Sequence, residues 1–132
     1  MKRETEEWIK IAKEDLEAAE HLSSTSLYRM ICYHSQQAVE KILKAILTEH
    51  EIEFSRTHNI PDLLNAAKEI GYKPPINTGE ATFLNSIYRA RYPAALGLLP
   101  SGEPTKEDAE KALLVAETMW KWIRDIFKLQ QL

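Results

Sequence analysis

Three stretches of this sequence concentrate side chains able to do chemistry. Tyr88-Arg89-Ala90-Arg91-Tyr92-Pro93 interleaves two guanidinium groups with two phenols. Arg91 follows Tyr88 by three residues and Tyr92 follows it by four, so on a helix Tyr88 has both as neighbours. Guanidinium forks match phosphate oxygens, and tyrosine rings offer bases a stacking surface, so the pattern suits an anion or a nucleotide. A plainer role is equally open, because arginines at a helix end complement the negative end of its dipole.

The second stretch is Tyr33-His34-Ser35-Gln36-Gln37-Ala38-Val39-Glu40-Lys41, with Lys44 just beyond it. Lys41 and Lys44 could attract an anion. Alternatively Glu40 and Lys44, four apart, could pair on a helix surface for about 0.3–0.5 kcal/mol. His34 falls on an apolar stripe, where a core role and a site role both remain open. Gln36 and Gln37 carry amides able to bind a base or a partner chain. The third stretch is Thr57-His58, just before a short helix that Thr57 or Asn59 could cap.

Other chemistries find little footing. Gly97 and Gly102 sit among leucines and prolines without a following lysine–serine pair, so there is no phosphate loop. The histidines His21, His34, His50 and His58 form no His-Glu-x-x-His pattern, and we expect neither a metal nor a cofactor. Cys32 is the sole cysteine, which excludes an intramolecular disulfide and a cysteine-based metal finger. As a nucleophile it would need a base on its own side, and His34 lies about 200° around the helix from it.

The elements that must position these groups read as helices. A stripe of Trp8, Ile11, Ala12, Leu16, Ala19 and Leu22 predicts a helix over Arg3–Leu22, followed by a hydroxyl-rich break at Ser23-Ser24-Thr25-Ser26 that supplies candidate N-caps. The second helix, about Leu27–Glu51, carries two adjacent stripes, one of Leu27, Ile31, His34, Ala38, Ile42 and Ala45, the other of Cys32, Ser35, Val39, Leu43 and Ile46. A wide buried arc follows, with Arg29, Gln36, Gln37, Glu40, Lys41 and Lys44 expected on the polar side. Short helices are predicted over Pro61–Ile70, stopped by Gly71, and over Glu80–Arg91, stopped by Pro93. The apolar run 93–102 is expected either to fold back over the bundle or to join an interface. A last helix starts at the Thr105-Lys106-Glu107-Asp108 capping box. The whole is an all-α, up-and-down helical bundle of three long and two short helices, a single domain over residues 1–132.

A net charge of −3 excludes a protein that coats nucleic acid by bulk charge, so any anion site must be a local cluster. The charged amino terminus and the absence of an apolar run near ~18 residues argue against a signal segment or a membrane span, so a soluble cytoplasmic protein is expected.

The arrangement resembles the HEPN family, the small helical domains named for higher eukaryote and prokaryote nucleotide binding. The resemblance rests on Trp8 with Ala12-Lys13-Glu14-Asp15-Leu16, on Cys32-Tyr33-His34-Ser35-Gln36-Gln37-Ala38-Val39-Glu40-Lys41-Ile42-Leu43-Lys44-Ala45, on Thr57-His58, and on Tyr88-x-x-Arg91-Tyr92-Pro93, in that order. It implies a bundle that dimerises, contacts nucleotide or RNA, and often works beside a separate small nucleotidyltransferase. Some branches are metal-independent ribonucleases, often the toxin half of a toxin–antitoxin pair, with an arginine and, a few residues on, a histidine near the start of a late helix. Here no histidine follows Arg91, since His58 is the last one. The literal match, Arg29-x-x-x-x-His34, lies in the second helix, has Met30 where the motif has a polar residue, and spans about 140° of rotation.

The reading of the sequence is a homodimeric binding module for a nucleotide or a nucleotidyltransferase partner, without catalysis of its own. Its ligand residues are Tyr88, Arg91, Tyr92, His34, Gln37, Lys41 and His58. The alternatives are a metal-independent ribonuclease toxin, with His34 and Arg91 as the catalytic candidates, and a purely structural dimerisation protein.

Overall fold

A computed structural model describes residues 1–54, 59–90 (the backbone alone over 87–90) and 103–128. Among them are five helices and no strand: α1 (Arg3–Leu22), α2 (Tyr28–Glu49), α3 (Ile60–Glu69), α4 (Thr78–Ala90) and α5 (Lys106–Ile126). Helix α2 is the hub. It touches the other four, most extensively α1 and then α5, while α3 and α4 pack on each other. Helices α1 and α2 run antiparallel, because Lys2 at the start of α1 donates its backbone N–H to Glu49 at the end of α2.

That central place explains the wide buried arc of α2. Ile31, Cys32, Ser35, Ala38, Val39, Ile42, Leu43, Ala45 and Ile46 are all buried, as both stripes predict. Leu27 departs from its stripe: it precedes the helix as N-cap and is 52% exposed. The larger correction concerns the expected polar side, where Gln36, Gln37, Glu40 and Lys44 are also buried. A helix enclosed by four neighbours has little face left for water, so its polar residues must find partners inside.

Local chemistry sets the helix ends. The Ser23–Ser26 hydroxyls do not cap α2, contrary to expectation; Ser23 Oγ donates to Glu20 O and Thr25 Oγ1 to Leu22 O, closing α1 instead. Asn59 caps α3 by accepting the Asp62 N–H, and Pro61 sits in the first turn. Helix α3 ends in a Schellman arrangement: Gly71 N–H donates to Lys68 O and Tyr72 N–H to Ala67 O. Gly71 takes φ +101°, a conformation that strains any residue with a Cβ. Helix α4 begins two residues earlier than expected, because Asn77 and Glu80 form a reciprocal cap: Glu80 N–H donates to Asn77 Oδ1 and Asn77 N–H to Glu80 Oε1. The Thr105–Asp108 box closes at α5 with both of its bonds, as the sequence indicates.

Across the α1–α5 contact, Glu117 meets Glu20. Partial burial, and then the neighbouring Glu20 carboxyl, push the Glu117 carboxyl above its ordinary range. A carboxyl raised in the folded state opposes folding once both states ionise, and the penalty vanishes below the unfolded value near 4.3. Glu117→Gln is therefore expected to raise the melting temperature slightly at pH 7. Thermal melts between pH 4 and pH 7 should show the gain shrinking toward the acid end.

No helix among the described residues is long and apolar enough to cross a membrane.

Candidate functional site

At about 100° per residue, His34, Gln37 and Lys41 fall within a narrow arc of α2, with Lys44, Tyr33, Glu40 and Gln36 continuing it around the helix. The arc holds two sets of polar side chains, and α1 supplies the partner for the first.

Asp15, midway along α1, reaches across the seam between the two helices. Its Oδ1 lies 2.9 Å from His34 Nδ1 and its Oδ2 2.6 Å from Lys41 Nζ. The three side chains are mostly withdrawn from water, with exposures of 13% for Asp15, 23% for His34 and 17% for Lys41. The Tyr33 ring stands edge-on to the imidazole at 5.1 Å between centroids. One carboxylate thus serves a ring nitrogen and an ammonium group two turns apart on the neighbouring helix.

The second set runs along the buried edge of the arc. Gln37 Nε2 donates to Gln36 Oε1, Gln36 Nε2 donates to Glu40 Oε1, and Lys44 Nζ donates to Glu40 Oε2 at 2.9 Å. Glu40 and Lys44 are 3% and 6% exposed, so their pairing is an interior ion pair and not the surface pair that the spacing alone allows. Lys44 Nζ also lies 5.4 Å from the Trp8 ring centroid and 5.7 Å from that of Phe54, and those two rings meet edge to face. Ammonium over aromatic faces is favourable, more so out of water.

Of the sequence-predicted ligand residues, the structure brings His34 and Lys41 together through Asp15, with Gln37 between them in sequence and bonded to Gln36. His58, Arg91 and Tyr92 lie outside the described residues, as does the run 93–102; the backbone of Tyr88 falls within α4, and its side chain lies outside the description. Asp15 is the site residue that reasoning along the sequence passed over. It sits three residues after Ala12 and four before Ala19, both fully buried, so a carboxylate there needed a partner.

The remaining candidates separate cleanly. Arg29 donates to Glu103 Oε1 while His34 bonds Asp15, so the Arg29-x-x-x-x-His34 match points its two ends at different neighbours. Cys32 is fully buried, and burial, then the Asp108 carboxylate, push its thiol up to about 12, which keeps it protonated and inert at neutral pH. Concavities occur along α1, about 540 Å³ beside Ile9, Lys10 and Lys13, and between the Ser23–Ser26 turn and α5, about 330 Å³. Neither contains a histidine or joins opposite charges from two helices as Asp15 does.

Comparison with known proteins agrees with this architecture. The family model of the HEPN domain matches residues 5–126. "Putative toxin MJ1304" of Methanocaldococcus jannaschii is 35% identical over 133 residues, covering 92% of this chain and 86% of that protein. The crystal structure of ST0689, an archaeal HEPN homologue, superposes with a TM-score of 0.70 at 33% identity, covering 96% of this chain and 98% of that one. The HEPN domain protein tm0613 of Thermotoga maritima gives a TM-score of 0.66 at 25% identity, covering 94% and 99%.

Proposed function

The chain belongs to the HEPN domain family, and from that premise we propose that it is a nucleotide- or RNA-contacting binding module of a toxin–antitoxin pair. It acts in the cytoplasm as a homodimer beside a small nucleotidyltransferase and has no catalysis of its own. The observation that carries this reading is the Asp15–His34–Lys41 cluster. Three ionisable side chains drawn out of water on a helix seam cost stability that apolar residues would not, and together they offer a ligand donors and an imidazole at one place. The toxin-named relative supports the toxin–antitoxin context. Arg91 forks onto phosphate, Tyr88 and Tyr92 stack or donate their hydroxyls, and His34, Gln37, Lys41 and His58 line the same cleft.

Calorimetry with ATP tests the ligand half: saturable heat is expected, and its absence overturns the nucleotide reading. Light scattering tests the homodimer, expected at twice the 15.2 kDa of the chain.

A second reading, the metal-independent ribonuclease toxin, gains from one feature. His34 is held by a carboxylate at one ring nitrogen, the arrangement that readies the other for proton transfer. There Nε2 would take the 2′-hydroxyl proton as the 2′-oxygen–phosphorus bond forms and the bond to the 5′-oxygen breaks, water protonating the leaving oxygen. This reading expects RNA cleavage that persists in EDTA and falls about 10²–10⁴-fold in His34→Ala. The binding module expects none above background.

A further inference from the structure

We propose that Asp15 is a positioning residue that fixes the tautomer of His34. The inference rests on the reading above for its ligand, but not for its geometry. An ionised carboxylate accepts hydrogen bonds and donates none. With Oδ1 at 2.9 Å from His34 Nδ1, that nitrogen must carry the proton. A neutral imidazole carries a single N–H, so Nε2 is left as a bare acceptor. Among the described residues Nε2 makes no hydrogen bond, and the side chain keeps 23% of its surface open.

The ligand group that Nε2 takes is therefore a hydrogen-bond donor, such as a ribose hydroxyl or the exocyclic amine of a base. A phosphate oxygen only accepts, so it is not the group that Nε2 takes.

Lys41 sharpens the test. Its ammonium, 2.6 Å from Oδ2, only donates. In Asp15→Asn the amide has one oxygen and one NH2, and Lys41 can use the oxygen alone. The NH2 is then turned toward His34 Nδ1, which must become the acceptor, and the ring proton moves to Nε2. Removing Lys41 as well, in Asp15→Asn with Lys41→Met, frees the amide to turn and offer its oxygen to Nδ1. The tautomer then relaxes back toward the parent's.

The experiment is long-range proton–nitrogen NMR of the histidine rings at pH 8, above the ordinary histidine range, on the full chain. The parent is expected to show the proton on Nδ1 of His34, Asp15→Asn on Nε2, and the double variant a return toward Nδ1. ATP should shift the Nε2 resonance of the parent, and Asp15→Asn should bind ATP about tenfold more weakly, the size of one lost hydrogen bond. A parent with its proton on Nε2, or a tautomer unchanged in Asp15→Asn, overturns the proposal. ATP binding that leaves the Nε2 resonance unmoved overturns its ligand half. The tautomer pattern found without ATP binding upholds the positioning role and overturns the nucleotide reading instead.

Discussion

Lys44→Met is expected to cost about 3–5 kcal/mol of stability, the usual penalty for removing one partner of an interior ion pair. The melting temperature should fall by on the order of 10 °C. The lysine stem packs into the protein and methionine replaces its volume well, so lost packing does not account for the effect. What remains behind is the Glu40 carboxylate, 3% exposed, deprived of the ammonium 2.9 Å from its Oε2. Adding Glu40→Gln should restore most of the loss, because the neutral amide still accepts from Gln36 and needs no counter-charge. A urea melt of the parent, the single variant and the double variant measures all three. A single-variant cost under about 0.5 kcal/mol, the worth of a surface pair, would place Glu40 and Lys44 in water and contradict the burial of α2.

The helices were legible in the sequence for a simple reason. The Ala12, Leu16 and Ala19 stripe on α1 is a property of one segment, although Ile11, expected on it, is 37% exposed and Ile9 is buried instead; the Thr105–Asp108 box and Gly71 with its positive φ are as local. Each is decided within a few residues. The Asn77–Glu80 cap that starts α4 two residues early was equally local, but the paired prolines before it drew the boundary inward. The interior of the polar arc was not legible. Whether Glu40 and Lys44 face water depends on which helices surround α2, and nothing on α2 itself reports how many neighbours it has. The Asp15 contacts reach 19 and 26 residues along the chain, to His34 and Lys41, so their pairing waits on the antiparallel register of α1 and α2. The one available sign was an acidic residue at the edge of an apolar stripe. Family resemblance did supply the stretches that hold both ends of this cluster, Ala12–Leu16 and Cys32–Ala45, without saying that they touch.

Arg91→Ala is expected to weaken ATP binding by about 10- to 100-fold with the fold intact. The magnitude follows from the bond type: a hydrogen bond to a charged group contributes about 1.5–3 kcal/mol, and each 1.4 kcal/mol is a tenfold change in affinity. Lys41 and Lys44 cannot readily substitute, because each already lies on a carboxylate, 2.6 Å from Asp15 and 2.9 Å from Glu40. An incoming phosphate would have to compete with those carboxylates for the ammonium groups. Arg91→Lys keeps the charge but loses the planar fork, so it should recover only part of the affinity. Calorimetry gives the affinities, thermal melts the stability, and light scattering the mass. Lost affinity in a stable dimer fits the binding module. A stable monomer with unchanged affinity would mean that Arg91 joins the protomers, and the structural reading of the Tyr88–Tyr92 stretch would then displace the ligand reading.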